Sequence, residues 1–282
     1  MSDRTPHPTV ALLRRLDPGI NTTLLVLFAL SFIPLAIMLN LSFKSIPQYE
    51  YERWIIKPPF HLANYLAAWQ ALRTYLCNSV IISAASAAGV IALSALGGYA
   101  FARGRFPLRE PLFIFILCGM MIPGILYLVP KFILFRNLNL VNSRWGLLLA
   151  YWTEGQIFGI FLFRSHFESL PDGLFESAQM DGAGVWAQFR HIALPLSAPI
   201  ISTLAVMNLM FTWNDIIWPW IVITDDRLRT ISIGMSIFQQ SFLENRGPMF
   251  AGYTIAALPL ILIFCFTSRY FIKGLTSGAF KA

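Results

Sequence analysis

The spacing of charges constrains this chain more than any other feature. Five windows, Pro18 to Phe43, Thr74 to Ala102, Pro111 to Pro130, His191 to Asn214 and Gly247 to Ser268, hold no Asp, Glu, Lys or Arg, and a sixth, Trp145 to Phe163, holds only Glu154. A charge at the bilayer centre costs about 2.5–3.5 kcal/mol on insertion scales, and a helical crossing takes about 17–25 residues, so each window suits one span. The expected fold is an all-α multi-pass membrane protein with six transmembrane helices and both termini on one side. Of the 282 residues 56% are hydrophobic and only 12% charged, which excludes a soluble or a disordered chain. The loops are too small for an independent catalytic domain of about 100 residues, so any chemistry lies between spans or on a partner.

The net charge of +7 is read as a match to anionic lipid headgroups; no nucleic-acid partner is expected. Cys77, Cys118 and Cys265 lie in apolar segments without a C-x-x-C pair, so neither a disulfide framework nor a metal site is indicated, and they are expected to be small core residues. The apolar run from about Ile20 is too long for a signal-peptide core and reads as the first span. Pro34, Pro123 and Pro259 predict kinked spans. Small residues from Ser83 to Gly89, then Ser94, Ala95, Gly97 and Gly98, predict that this face of the second span packs closely on protein. Lys and Arg divide almost evenly between the two sides, so the positive-inside rule does not choose an orientation.

Between the fourth and fifth spans the chain turns polar over 164–195. Asp172 is placed to cap a short helix from Leu174 to about Met180, with Gly182 and Gly184 supplying a left-handed turn before a second helical piece from Val185 to His191. The product is a helix-turn-helix elbow. Small Ser177 and Ala178 beside large Leu174, Phe175 and Met180 predict a flat patch with protruding apolar knobs, suited to a groove on another protein.

Within the membrane windows, Glu154 calls for a watery cavity or a partner charge, unless the fourth span starts later and leaves it near the outer interface. With Trp152 and Gln156 it offers hydroxyl-bonding groups beside an indole that can stack on a sugar face. Trp213, Asn214 and Asp215 close the fifth span in a similar mix, Asn208 needs a hydrogen-bond partner within the bilayer, and the run Ile216 to Thr224 is too short to cross and is expected to fold back. These seven residues, Trp152, Glu154, Gln156, Asn208, Trp213, Asn214 and Asp215, are the candidate translocation pathway. Lys44, Arg53, Lys57, Lys131, Arg136 and Arg144 are expected to give the opposite face a positive cast, meeting a partner's acids or lipid headgroups.

The elbow carries a resemblance. Glu176-Ser177-Ala178, Gly182, Ile192, Leu194 and Pro195 resemble the E-A-A, G, I-x-L-P loop of permease subunits of binding-protein-dependent ABC importers, with Ser177 in place of the usual second-position Ala. Asp181-Gly182-Ala183 and Phe189-Arg190-His191-Ile192 extend it toward the carbohydrate-uptake branch, similar to the second, smaller permease of maltose-type transporters. The likeness runs along nearly the whole chain: Asn64-Tyr65, Ala68-Trp69, Asn78-Ser79, Tyr99 to Arg103, Phe106-Pro107, Trp213-Asn214-Asp215, Trp218-Pro219, Thr230, Gly234 and Gly274 to Gly278 match in order.

This resemblance implies a permease of the bacterial cytoplasmic (inner) membrane that imports a sugar or sugar derivative by alternating access, or a phosphorylated or otherwise anionic polyol. It implies a cytoplasmic elbow and cytoplasmic termini, with a terminal segment 1–19, a permease domain 20–272 and a tail 273–282. The implied partners are a second homologous permease, two ATPase subunits and an extracytoplasmic solute-binding protein. Glu176, Ser177, Ala178, Asp181, Gly182 and Ala183 would contact an ATPase. No G-x-x-x-x-G-K-[S/T] loop occurs, so this chain is expected to bind no cofactor itself, with ATP and Mg used on the partner subunits. His7, His61, His166 and His191 sit outside or at the margins of the windows and no G-x-S-x-G occurs, which leaves an intramembrane hydrolase without its nucleophile and base. An ATP-independent channel has no use for a docking elbow, and a secondary transporter calls for more intramembrane ionisable groups.

Overall fold

The computed structural model describes the backbone of residues 18–279 and the side chains of 19–265. Most of the expected terminal segment 1–19 and the end of the tail therefore lie outside the described residues, as does His7. Every described element is helical: α1 (Pro18–Ser42), α2 (Ile46–Tyr51), α3 (Ala63–Arg103), α4 (Arg109–Met121), α5 (Gly124–Asn137), α6 (Arg144–Ser169), α7 (Asp172–Met180), α8 (Val185–Leu196), α9 (Ala198–Asn214), α10 (Ile217–Val222), α11 (Ile231–Ser241) and α12 (Arg246–Ala279). Four of them, α1, α3, α6 and α12, are long and apolar enough to cross a membrane, and the count reaches six if the bent pairs α4–α5 and α8–α9 each make one crossing.

Both bends follow from proline. The third window is not one straight span: α4 and α5 meet at 91°. Pro123 disfavours the helical region for the residue before it, and Ile122 accordingly sits extended at φ −89°, ψ 113°, ending α4. The fifth window is also broken, by 72° between α8 and α9. There Pro195 offers no N–H, the backbone widens into a π-helical turn over Phe189–Ala193, and buried Ser197 donates its hydroxyl to the Ala193 carbonyl at 2.7 Å. Pro34 and Pro259 lie inside α1 and α12, which continue through them.

The described chain divides into two compact units. In the smaller, residues 18–68 with 242–255, Asn64 donates to the carbonyls of Ser42 (2.9 Å) and Lys44 (3.0 Å), and Gly247 approaches Lys44 and Asn64 so closely that a Cβ would overlap them. Lys44 is buried, with its ammonium 2.7 Å from the Ile55 carbonyl.

In the larger unit, residues 69–241 with 256–279, α3 and α6 run parallel, since Asn78 and Arg144 meet at one end and Arg103 and Phe167 at the other. Their contact is made of small residues. Trp152 covers Gly89, Ile160 covers Gly97, and a Cβ on Gly98 would come within 2.9 Å of the Arg164 backbone nitrogen; from α6, Gly159 sits against Ser94. The expectation that this face packs on protein holds. At one end of the pair Ile82, Phe135, Leu147, Tyr151, Trp218 and Val222 form a core, and at the other Tyr99, Phe163, Phe167, Phe175 and Phe189 form a second.

The cysteines depart from expectation: Cys77, Cys118 and Cys265 all lie on the exposed surface. An apolar window is apolar all round, and its sequence does not say which side meets protein.

Candidate functional site

The elbow is built by α7 and α8. Asp172 does not cap α7 with its side chain; it is the first helical residue, after Pro171. Its carboxylate instead pairs with Arg103 at the end of α3. The other end of α7 closes as a Schellman motif: the Ala183 N–H donates to the Ala178 carbonyl at 2.9 Å and the Gly182 N–H to the Gln179 carbonyl at 3.0 Å. This closure needs a left-handed residue, which Gly182 supplies at φ +83°. Gly184, at φ −69°, is not left-handed and precedes α8 in extended conformation.

Arg103 holds this elbow from three directions. It bonds Asp172 with one nitrogen and donates with the other to the carbonyls of Phe167 (2.8 Å) and Leu170 (2.7 Å), which end α6. Its guanidinium also lies 4.2 Å over the Phe175 ring. Phe175 is therefore not a protruding knob; it is buried among Tyr99, Phe163, Phe167 and Phe189. The knobs that do protrude are Met180 (90% exposed), Val185 (73%) and Trp186 (62%), with the expected Leu174 (42%) beside them. Glu176, Ser177, Asp181 and Gly182 are exposed beside them, and Ala178 and Ala183 are half-buried.

A second arginine ties α4 to α6. Arg164 is 8% exposed, donates to Glu110 at 2.7 and 2.8 Å and to Glu168 at 2.8 Å, and stacks 4.0 Å from the Phe113 ring. The end of α3, the start of α4, the end of α6 and the start of α7 are thus tied together by charge-assisted hydrogen bonds.

Inside the bundle, Glu154 has a partner charge that the sequence reading placed elsewhere. Lys131 of α5 lies 2.6 Å from Glu154 Oε1 and 3.9 Å from the Trp218 ring centroid, rather than adding to an outer positive face. Of the other five, Lys44 is buried, while Arg53, Lys57, Arg136 and Arg144 are exposed, Lys57 pairing with Glu52 at 2.7 Å and Arg144 donating to Asn78 at 3.3 Å. Glu154, Lys131 and Tyr127 line a cavity of about 640 Å³ with Phe135 and Phe158, and a neighbouring cavity of about 390 Å³ shares Tyr127, Glu154 and Phe158 and adds Asn208. Asn208 is 7% exposed and its Oδ1 has no hydrogen-bond partner.

The other sequence candidates do not converge there. The Trp152 indole donates to the Ala85 carbonyl at 3.1 Å and covers Gly89, so it is committed to α3. Gln156 lines an adjoining recess, which shares Gly119, Ile122, Thr153 and Ile157 with the larger cavity but not the Lys131–Glu154 pair. Trp213 is buried; the Asn214 amide bonds back to the Met210 carbonyl at 2.7 Å; Asp215 accepts from the Tyr151 phenol at 3.0 Å and from the amides of Ile217 and Trp218 that open α10. The run after Asp215 does fold back, with Trp218 donating to the Gly146 carbonyl at 3.1 Å. Beyond it, Asn142 accepts from the amides of Thr224 and Asp225, and Asn78 donates to the carbonyls of Arg227 and Arg229. In this loop hydrogen bonds from Arg227 hold the Asp225 carboxyl below its ordinary range.

Comparison with known proteins places this geometry. Residues 93–277 match the family model described as "Binding-protein-dependent transport system inner membrane component". The chain is 33% identical to a probable ABC transporter permease, YurM of Bacillus subtilis, over 91% of this chain and 86% of that protein. It is 30% identical to the diacetylchitobiose uptake permease NgcG of Streptomyces coelicolor (93% and 89% covered) and 31% identical to the maltose/maltodextrin permease MalG of Escherichia coli (73% and 72%). In fold it is similar to a chain of a bacterial ABC transporter that imports the acidic polysaccharide alginate, with a TM-score of 0.78 at 19% identity, covering 95% of this chain and all of that one.

Proposed function

The chain belongs to the family of binding-protein-dependent transport system inner membrane components, and from that premise we propose that it is the sugar-importing permease subunit of an ATP-driven transporter, coupled to its motor through the α7–α8 elbow. The observation that carries the coupling is the build of the elbow: a helix closed by Gly182, anchored by Arg103, with Met180, Val185 and Trp186 presented outward. Apolar knobs of this size on a rigid mount suit a groove on a second protein.

In this reading the chain makes six crossings, with α4–α5 and α8–α9 one bent crossing each, and the elbow and both termini lie in the cytoplasm. The permease domain spans 20–272, between a terminal segment 1–19 and a tail 273–282. Two ATPase subunits bind ATP and Mg, and one of them grips Glu176, Ser177, Ala178, Asp181, Gly182 and Ala183 with the knobs beside them. A second, homologous permease completes the pathway, and an extracytoplasmic solute-binding protein delivers the cargo. Closure of the ATPases pulls the elbow; because Arg103 and Arg164 tie α3, α4, α6 and α7 at that end, the pull moves these helices as a block. The cargo is an oligosaccharide, in line with relatives named for maltodextrin, diacetylchitobiose and melibiose uptake.

The test is reconstitution of the complete transporter in vesicles, with a crosslinker placed at Gln179→Cys. Capture of an ATPase subunit, together with ATP-dependent uptake that requires the binding protein, is expected. Uptake without ATP, or a crosslink that never captures the ATPase, overturns the reading.

A further inference from the structure

We propose that Tyr127, Lys131, Glu154 and Asn208 form a hydroxyl-recognising subsite in this subunit, selective for an uncharged oligosaccharide over an acidic one. The proposal rests on the importer reading above and adds to it a direct contact with cargo and a charge class.

Three observations converge. The first is an open acceptor: Lys131 at 2.6 Å and the Tyr127 phenol at 3.4 Å both bond Glu154 Oε1, which leaves Oε2 with no hydrogen bond to a described residue. The second is Asn208, 93% buried by its 7% exposure, whose Oδ1 is likewise unpartnered while the residue lines the cavity shared with Glu154 and Tyr127. A buried amide oxygen without a partner destabilises a fold until something bonds it. The third is the space. The cavity of about 640 Å³ falls within the 300–1,000 Å³ of small-molecule sites, and its Phe135 and Phe158 supply the apolar walls on which the C–H faces of a sugar ring pack.

The charge class follows from the pairing. Lys131 is the one cation among the described lining residues, and Glu154 neutralises it at contact distance. A uronate or phosphate entering here meets the Glu154 carboxylate with no uncommitted cation to offset it. A neutral hydroxyl instead donates to Oε2, the open acceptor, and to Asn208 Oδ1 once that occluded amide turns toward the cavity its residue lines.

Asn208→Leu separates recognition from structure. Leucine keeps the branched shape and removes an unpaired polar group, so the variant should unfold at the same temperature as the wild type or higher. Its apparent KM for uptake should nevertheless rise about tenfold, as for one lost hydrogen bond worth about 1.4 kcal/mol. The complete transporter in vesicles is assayed with maltotriose, raffinose, N,N′-diacetylchitobiose and a mannuronate trimer. Glu154→Gln serves as a second variant, expected to weaken uptake of the neutral sugars and to relax exclusion of the trimer. Wild-type uptake kinetics in Asn208→Leu overturn the subsite alone. A wild-type complex that takes up only the acidic trimer overturns the charge class, and one that takes up none of the four overturns the cargo assignment and the subsite with it.

Discussion

Lys131 Nζ and Glu154 Oε1 lie 2.6 Å apart, joining α5 to α6 with side chains 14% and 25% exposed. Breaking a largely desolvated pair strands the surviving charge, whereas removing both members does not. Lys131→Met alone should therefore lower stability by about 1–3 kcal/mol, and Lys131→Met with Glu154→Met should recover most of it. Thermal unfolding of the purified chain in detergent checks this; equal losses in single and double variants would show that the pair carries no coupling.

Gly182 has open space around its missing side chain, so its requirement is conformational. Gly182→Ala should destabilise the elbow by about 1 kcal/mol and Gly182→Asn by less, because Asn tolerates the left-handed region. Gly182→Val, β-branched at positive φ, should abolish uptake while membrane insertion and expression persist. Normal uptake by the valine variant would refute the role of this turn.

Arg103 uses its forked geometry on three acceptors, which a single ammonium cannot reproduce. Arg103→Lys should uncouple the transporter, lowering solute moved per ATP hydrolysed by several fold while binding-protein docking is kept. Retention of wild-type stoichiometry would locate the mechanical link elsewhere.

Gly98 faces the α6 backbone, with a Cβ due 2.9 Å from the Arg164 nitrogen and 3.1 Å from the Phe163 carbonyl carbon. Backbone cannot swing aside as a flexible side chain can. Gly98→Ala should cost about 1–3 kcal/mol by overpacking, and Gly98→Leu should prevent folding. Gly19, near which nothing lies within 4 Å, is the control position at which alanine should be silent.

Asp225 titrates below the ordinary carboxylate range because Arg227 bonds it through its side chain and its backbone amide. A depressed folded value means that the stabilisation is present above the unfolded value and fades as pH falls through the folded one. A carboxyl-carbon NMR titration should show the depressed midpoint in the wild type and a rise in Arg227→Gln. An unchanged midpoint would mean the pair is not formed in solution.

Charge-free windows gave the positions of the helices because a desolvated charge is costly wherever it sits along a span. They did not reveal that two windows break, at Ile122–Pro123 and Ser197, since a proline in a membrane helix is equally compatible with a helix that runs on through it, as at Pro34 and Pro259. The Gly182 turn was legible, because φ above zero singles out glycine, but Gly184 beside it carried the same letter without the same geometry. Glu154 announced a need for a partner; Lys131 could not be named from sequence, because the pair forms across a bend whose angle no periodicity encodes. Asn78, Ser79 and Gly234, conspicuous as matched motif residues, turn out to pin the 225–234 loop: Ser79 accepts the Ile231 amide at 2.7 Å and Gly234 seats the Tyr75 ring.

The right-angled corner at Ile122–Pro123 bears on how this protein is made. A helix end leaves carbonyls that no residue of the same helix can serve, and Pro123 brings no donor of its own. Flanked by outward Met121 and Ile125, that corner is a poor guest among acyl chains until a companion subunit or trapped water answers it. In the assembly proposed above, a copy synthesised without its companions should be short-lived in the cell, cleared by membrane proteases, so that balanced co-expression of the subunits becomes a requirement set by geometry as much as by regulation.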